Sequence, residues 1–184
     1  MKKIFTIITD THEGSFNPCL VSDEEYKKPN VIVLGDIDLK RCLKKDVKKV
    51  QSKIDWIKSL GVPYVCSNHE GEQGLPLFYF DEETKTIFSH GCHLKKNAEK
   101  YLKDCHTTWE GSSYLMHILT GMASKFIHLV PFTKDDAKRA SDFAKIYGAK
   151  NIVLGHWHVS YDENVNGVRV VVLPRGLTTI ELGE

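Results

Sequence analysis

The sequence lacks a CxxC pair, and its five cysteines (Cys19, Cys42, Cys66, Cys92 and Cys105) are odd in number. Neither a disulfide framework nor a structural zinc knuckle fits that usage, and reduced thiols are expected. Long apolar runs are missing too. The basic start MKKIFTIITD meets Asp10 after six residues, Ile4 to Thr9, too few for the apolar core of a signal peptide or for a membrane span. A later amphipathic stretch is interrupted by His117, Lys125 and His128. The expectation is a cytoplasmic protein without a membrane span. Charge of one sign is not in excess: 25 Lys and Arg stand against 24 Asp and Glu, for a net charge of +1. That balance argues against a nucleic-acid binder or an acidic tail. Internal repeats, low-complexity tracts and linkers are absent from the pattern. With 184 residues, 41% hydrophobic and 27% charged, the chain reads as a single domain, 1–184, with room for a sizeable core.

What the chain does have is nine histidines, five of which fall in short Gly-, Asp- or Asn-containing motifs at strand ends. The hub is Asn30 to Asp38, NVIVLGDID. Val31 to Leu34 is an apolar run suited to a strand buried on both faces, and Gly35-Asp36 turns a carboxylate out at its carboxyl end. In open α/β sheets ligands bind at that edge. Lys3 to Thr9 reads as an earlier strand ending in Asp10-Thr11-His12, whose Asp and His, two apart on extended backbone, would point the same way. Residues 13–29, with Gly14, Asn17, Pro18 and Pro29, read as a loop across the face of the site.

Leu43, Val47, Val50, Ile54 and Ile57 recur at helical spacing and predict an amphipathic helix over 40–60, stopped by Gly61. Lys44, Lys45, Lys48, Lys49 and Lys53 line much of its other face, which reads as a solvated surface. Pro63 to Cys66 follows as a short strand ending in Ser67-Asn68-His69-Glu70, so strand, helix and strand imply a parallel pair with a right-handed crossover. Asn68 offers a hard neutral oxygen to a divalent metal, while His69 beside it is free for substrate. Leu77–Asp81 and Thr84–Ser89 predict a hairpin that ends in Ser89-His90-Gly91. His93 and His106 have no such setting and read as ordinary polar histidines.

Residues 94–131 are too long for a simple connection. They read as a small helical cap with an apolar stripe at Leu115, Ile118, Leu119, Met122 and Phe126, a stripe that reads first as core. A helix is predicted over 134–147. Asn151 to Leu154 is another buried-type strand, ending in Gly155-His156-Trp157-His158, where Gly lets backbone approach a ligand and two histidines can face one side. Strands over 168–173 and 177–182 close the chain.

In order the motifs read DTH, LGD, SNHE, SHG and GHWH. Singly each is weak; five in this order resemble the calcineurin-like metallophosphoesterases, whose pattern is DxH, GD, GNH(D/E), H and GHxH, over residues 10–158. Two departures are Ser67 in place of the usual Gly, and HGCH at 90–93 where many members have HGH. The resemblance implies a four-layer αββα sandwich of two mixed sheets flanked by helices. It implies two divalent metal ions, one held by Asp10, His12, Asp36 and His158, the other by Asp36, Asn68, His90 and His156, with Asp36 bridging. The donor set suits Mn²⁺ first, and also Fe, Ni²⁺ or Zn²⁺. The implied reaction is hydrolysis of a phosphodiester or pyrophosphate bond by in-line attack of a metal-bridging hydroxide, with His69, oriented by Glu70, assisting the leaving group.

The implied partner is a small phosphorylated substrate. Small bacterial-type phosphodiesterases and UDP-diacylglucosamine hydrolases are the nearest architectural analogues, the latter adding peripheral lipid contact through the insert. A non-catalytic metal-binding scaffold of the same fold and a nuclease are the competing readings. Arg175, Arg41 and Lys40 are candidates for phosphate contact, and the oligomeric state stays open.

Overall fold

The structure is a computed structural model describing residues 2–15, 18–71, 73–105 and 131–183. Among these, strands β1 (Lys3–Thr9), β2 (Val31–Val33) and β8 (Gly176–Leu182) form one sheet in the order β2-β1-β8. Strands β3 (Phe78–Asp81), β4 (Thr86–Ser89), β5 (Asn151–Leu154), β6 (Tyr161–Val165) and β7 (Val168–Val172) form the other, in the order β3-β4-β5-β7-β6. Both sheets are mixed: β1 runs parallel to β2 and antiparallel to β8, and β5 runs parallel to β4 and β7 between antiparallel outer pairs.

Strand pleating explains the layering. In β1, Phe5 and Ile7 point into a core shared with Ile32, Phe88, Val153, Val171 and Ile180, which belong to both sheets. The next positions along β1 and β2, Ile8, Val31 and Val33, face the opposite way, onto helix α1 (Val47–Ser59). In the second sheet Ile87, Ile152, Leu154, Val170 and Val172 face outward onto Ala140 and Ala144 of helix α3 (Lys134–Ile146). The order is therefore α1, sheet, sheet, α3. The unbroken apolar runs at 31–34 and 151–154 follow from burial on both faces. Each fully buried aliphatic side chain contributes about 1.5–3 kcal/mol, so a one-residue slip, which would exchange the two faces, is strongly opposed.

Several boundaries differ from the sequence-based expectation. The helix expected over 40–60 starts only at Val47, after a 3-10 turn at Lys44–Asp46. Residues 38–42 are held as loop by one local and one long-range bond instead: Arg41 N donates to Asp38 Oδ1 at 3.1 Å, and Lys40 N to the His69 carbonyl at 2.9 Å. Pro63 to Cys66 contributes a single bridge, Tyr64 to Val33, rather than a strand. The long loop 13–29 contains a 3-10 turn at Glu25–Lys27 that buries Tyr26 completely.

Strand β6 was not expected, because Asp162, Glu163 and Asn164 leave it polar at a sheet edge. A local signal for it exists. Asn166 and Gly167 both take positive φ, 52° and 87°, and form the two-residue hairpin loop that Asn-Gly favours. α3 opens on a capping box, in which Asp136 N donates to Thr133 Oγ1 at 3.2 Å and Thr133 N to Asp136 Oδ2 at 3.0 Å. Of the cap expected over 94–131, the structure shows a 3-10 turn at Cys92–Leu94 and helix α2 (Ala98–Cys105). Its remainder, including the stripe at 115–126, and His106, lies outside the described residues. Among the described residues no helix is long and apolar enough to cross a membrane.

Candidate metal centre

The five motif segments leave the carboxyl ends of β1, β2, β4 and β5 and the bridge at Tyr64, and they meet where the two sheets come together. They do so by turning rather than by staying extended. Asp10, His12, Asp36, Asp38, His156 and His158 all have positive φ, between 50° and 79°. Asp10 and His12 therefore converge through left-handed backbone and not through the strand pleat expected from their spacing. Such conformations cost Asp and His less than most residues, but are held only where the surroundings over-determine them.

The surroundings do so here. Asp10 Oδ2 accepts from Thr9 Oγ1 at 2.5 Å and from His156 N at 3.0 Å, tying β1 to the turn after β5. Residue 155 must be glycine for that approach, since a Cβ there would stand 2.6 Å from Asp10 Oδ2. Arg175 Nε donates to the Asp10 carbonyl at 3.1 Å. Gly35, at φ 87°, lets the Asp36 turn lie on Ser67, whose Cβ would be 2.7 Å from a Cβ at 35. Ser67 Oγ then accepts from Asp36 N and His69 N, both at 3.1 Å, and donates to Glu70. A hydroxyl at 67 is thus the knot between two motif segments. Glu70 completes it by accepting from Ile37 N at 2.5 Å and from Tyr64 OH at 3.3 Å.

Around the buried Asp36 carboxylate stand three imidazoles. His12 Nε2 lies 3.7 Å and His69 Nδ1 3.6 Å from Oδ2, and His90 Nε2 lies 3.6 Å from Oδ1. These gaps are too long for hydrogen bonds. They approach the spacing of neighbouring ligands on one cation with bonds of about 2.0–2.2 Å. His158 Nε2 sits 2.9 Å from Asp10 Oδ1 and 3.3 Å from His12 Nε2, while His90 Nε2 sits 3.0 Å from His156 Nδ1. Asp10, His12 and His158 form one group able to hold a metal ion. Asp10, Asp36 and His90 form a second, and His12, Asp36 and His69 a third.

The tautomers agree with that use. His90 Nδ1 meets the Leu34 carbonyl at 2.9 Å and must donate to it, which leaves the Nε2 lone pair facing Asp36. His12 Nδ1 likewise meets Asp38 Oδ2 at 3.0 Å, leaving Nε2 for the centre. Asp36 Oδ1 and Asn68 Oδ1 are buried and take part in no hydrogen bond. Acceptor oxygens that are buried and unsatisfied beside inward-facing imidazole lone pairs fit a bound cation.

Asp38, which sequence reasoning passed over, is fully buried behind both His12 and His69. Its Oδ1 is 3.1 Å from His69 Nδ1. The carboxylate against His69 is therefore Asp38, whereas Glu70, expected in that role, spends its bonds on the Ser67 knot. The only local signal was its position two residues after Asp36. His69 Nε2 accepts from Arg41 Nη2 at 3.1 Å. His93 packs edge-on against Phe143 of α3, 5.2 Å between ring centres, and belongs to none of the three groups.

The electrostatics are those of a cation site. Burial works to raise the Asp10 carboxyl, but the His158 hydrogen bond and the His90 and His12 imidazoles outweigh it and hold it well below the usual range. Burial opposes ionisation of Asp36 and Asp38 as well, and the surrounding histidines again overcome it. Burial pushes the His156 imidazole, beside His90, well down into its neutral, ligating form.

Glu70 is the exception. Burial, reinforced by the Asp36 charge, raises it to about 7 from an ordinary 4.5. A folded-state value above the unfolded one contributes stability that is complete below about pH 4.5 and lost as pH rises through about 7. The metal-free protein should lose melting temperature across that window relative to Glu70→Gln, read by thermal denaturation in chelator. Parallel curves for the two proteins from pH 4.5 to 8 would refute the assignment.

No family model matches this chain, and neither does any curated protein. Solved structures resemble it only distantly, two of them as follows. A conserved uncharacterised protein of Streptococcus pneumoniae, described as a predicted phosphoesterase, shares 15% identity over 99% of this chain and 84% of its own, with a TM-score of 0.47. A dimetal phosphatase of Danio rerio shares 13% identity over 98% of this chain and 93% of its own, with a TM-score of 0.41. At that distance the chemistry has to be read from this chain's own side chains, which assemble a buried Asp/His centre able to hold metal ions.

Proposed function

We propose that the protein is a dinuclear-metal phosphoesterase hydrolysing a phosphodiester or pyrophosphate bond, with the whole chain as one catalytic domain acting on a small phosphorylated substrate in the cytoplasm. The observation that carries this reading is the buried Asp36 carboxylate, ringed by His12, His69 and His90 at 3.6–3.7 Å with one oxygen unsatisfied. Asp10, His12, Asp36 and His158 would hold one cation, and Asp36, Asn68, His90 and His156 the other. Carboxylate, amide and imidazole donors without thiolate suit Mn²⁺, with Fe, Ni²⁺ or Zn²⁺ as alternatives. Such a pair supplies Lewis acidity, lowering the pKa of water toward neutrality and neutralising phosphoryl charge.

The chain's own residues supply the rest. Asp38 Oδ1, 3.1 Å from His69 Nδ1, steadies the ring in its charged form, and once Arg41 has turned away a proton bound at Nε2 can pass to the leaving oxygen. Arg41, which donates to that Nε2 without substrate, can turn to a phosphoryl oxygen when one arrives. Arg175 holds the Asp10 backbone in place. Burial of all three aspartates keeps bulk water from screening these interactions.

The test is a metal count together with hydrolysis of bis-p-nitrophenyl phosphate and p-nitrophenyl phosphate by protein loaded with Mn²⁺. About two metals per chain and faster turnover of the diester are expected. Loaded protein that cleaves neither ester would end this reading.

A further inference from the structure

The net charge of +1 conceals a polarised surface. Residues 40–54 hold seven of the 25 Lys and Arg residues and a single acid, Asp46. Lys44, Lys45, Lys48 and Lys49 are exposed and form no ion pair among the described residues; Lys58, Lys96, Lys100, Lys134 and Lys145 share that state, but four such lysines within six residues occur only at 44–49. The nearby acids are occupied: Asp23 by Lys53, and Asp55 by the Gln51 amide. Glu13, which faces Lys49, has its carboxyl pushed up by burial.

The cationic strip begins at the candidate centre. Arg41 reaches His69, and the strip continues through the 3-10 turn into the first turn of α1. Lys44 and Lys45 stand on the 3-10 turn and Lys48 and Lys49 in the first turn of α1 that follows it. A cavity of about 570 Å³ lies beside the strip, lined by Ile37, Trp56, Lys49 and Lys53 and by the acids Glu13, Asp23 and Asp46. That volume admits a nucleoside-sized group.

We infer that residues 44–49 form a docking strip for the phosphate backbone of a nucleic-acid strand that has one phosphodiester at the Asp/His centre. The inference rests on the phosphodiester reading above and exchanges its small substrate for a strand. A strand is favoured over a lipid surface because the exposed positions of the strip, 44, 45, 48 and 49, are all Lys and offer no apolar side chain of their own to insert among lipids. Recognition is of phosphate rather than base sequence, and it must weaken steeply with salt.

The experiment measures binding of a fluorescein-labelled oligothymidylate by anisotropy at several KCl concentrations. Wild type is compared with the quadruple variant Lys44→Gln, Lys45→Gln, Lys48→Gln, Lys49→Gln and with its all-Arg counterpart. The Gln variant should bind at least about tenfold more weakly, with a salt slope reduced by roughly 0.7 for each phosphate it no longer neutralises. The Arg variant should bind like wild type, and turnover of bis-p-nitrophenyl phosphate should be unchanged in both. Equal binding by wild type and the Gln variant would overturn the inference. So would Gln-sensitive binding to phosphatidylserine vesicles with none to the strand. Intact, strip-dependent strand binding in a protein that cleaves no ester would sink the hydrolase reading and leave the strip standing.

Discussion

Replacing Asp36 with Asn should abolish hydrolysis and leave the protein with at most one bound metal. Asp36 presents Oδ2 toward His12 and His69 and Oδ1 toward His90, so its two oxygens face both halves of the candidate centre. Asparagine keeps the shape but retains a single oxygen and no charge. Losing the shared ligand should lower turnover by about 10³-fold or more, on the scale of removing a preorganised electrostatic stabiliser of the transition state. Stability supplies a second readout. Metal present at about a hundred times its dissociation constant stabilises the folded state by about 2.7 kcal/mol. For a chain of this size that corresponds to a rise of about 5–10 °C in melting temperature. Wild type should show the rise on adding Mn²⁺, and the variant should lose most of it. Two equivalents of metal and wild-type turnover in Asp36→Asn would place the chemistry elsewhere.

His69→Ala should keep both metals and lose about 10²- to 10⁴-fold in turnover, the usual reach of a positioned acid or base. The loss should be larger for a substrate with an alkoxide leaving group than for one releasing p-nitrophenolate, which needs little protonation. Asp38→Asn should act through both His69 and His12, which it touches at 3.1 and 3.0 Å. A loss of about 10- to 100-fold is expected, shared between turnover and metal affinity, as for other carboxylates behind ligating histidines. A metal-binding scaffold without catalytic function could lose metal affinity in Asp38→Asn but would have no turnover for either substitution to lower. Retention of full activity by His69→Ala would remove the proton-transfer role from this residue.

Much of the fold was legible locally because the signals are local. The apolar runs at 31–34 and 151–154 announce strands covered on both faces, and the helical spacing of Val47, Val50, Ile54 and Ile57 announces the face α1 lays on its sheet. Asn166-Gly167 carried a hairpin signal that the polarity of Asp162 to Asn164 masked, since an edge strand needs no apolar face turned to solvent. The start of α1 was misplaced because Leu43 fits the helical period. The bonds that the Arg41 and Lys40 backbone N–H groups donate to Asp38 Oδ1 and the His69 carbonyl hold that stretch out of the helix, and no period reports them.

What the sequence by itself determined was which segments carry the candidate side chains: Asp10 and His12 after β1, Asp36 after β2, Asn68 and His69 after the bridge at Tyr64, His90 after β4, and His156 and His158 after β5. What only the tertiary structure decided was the company they keep. Asp38 rather than Glu70 backs His69, Ser67 and Glu70 knot two loops together, and the missing Cβ at Gly155 lets β5 close on Asp10. The reason is physical. A residue's type and its place along a strand are local properties, whereas a hydrogen bond or a close approach between segments dozens of residues apart depends on how the two sheets stack.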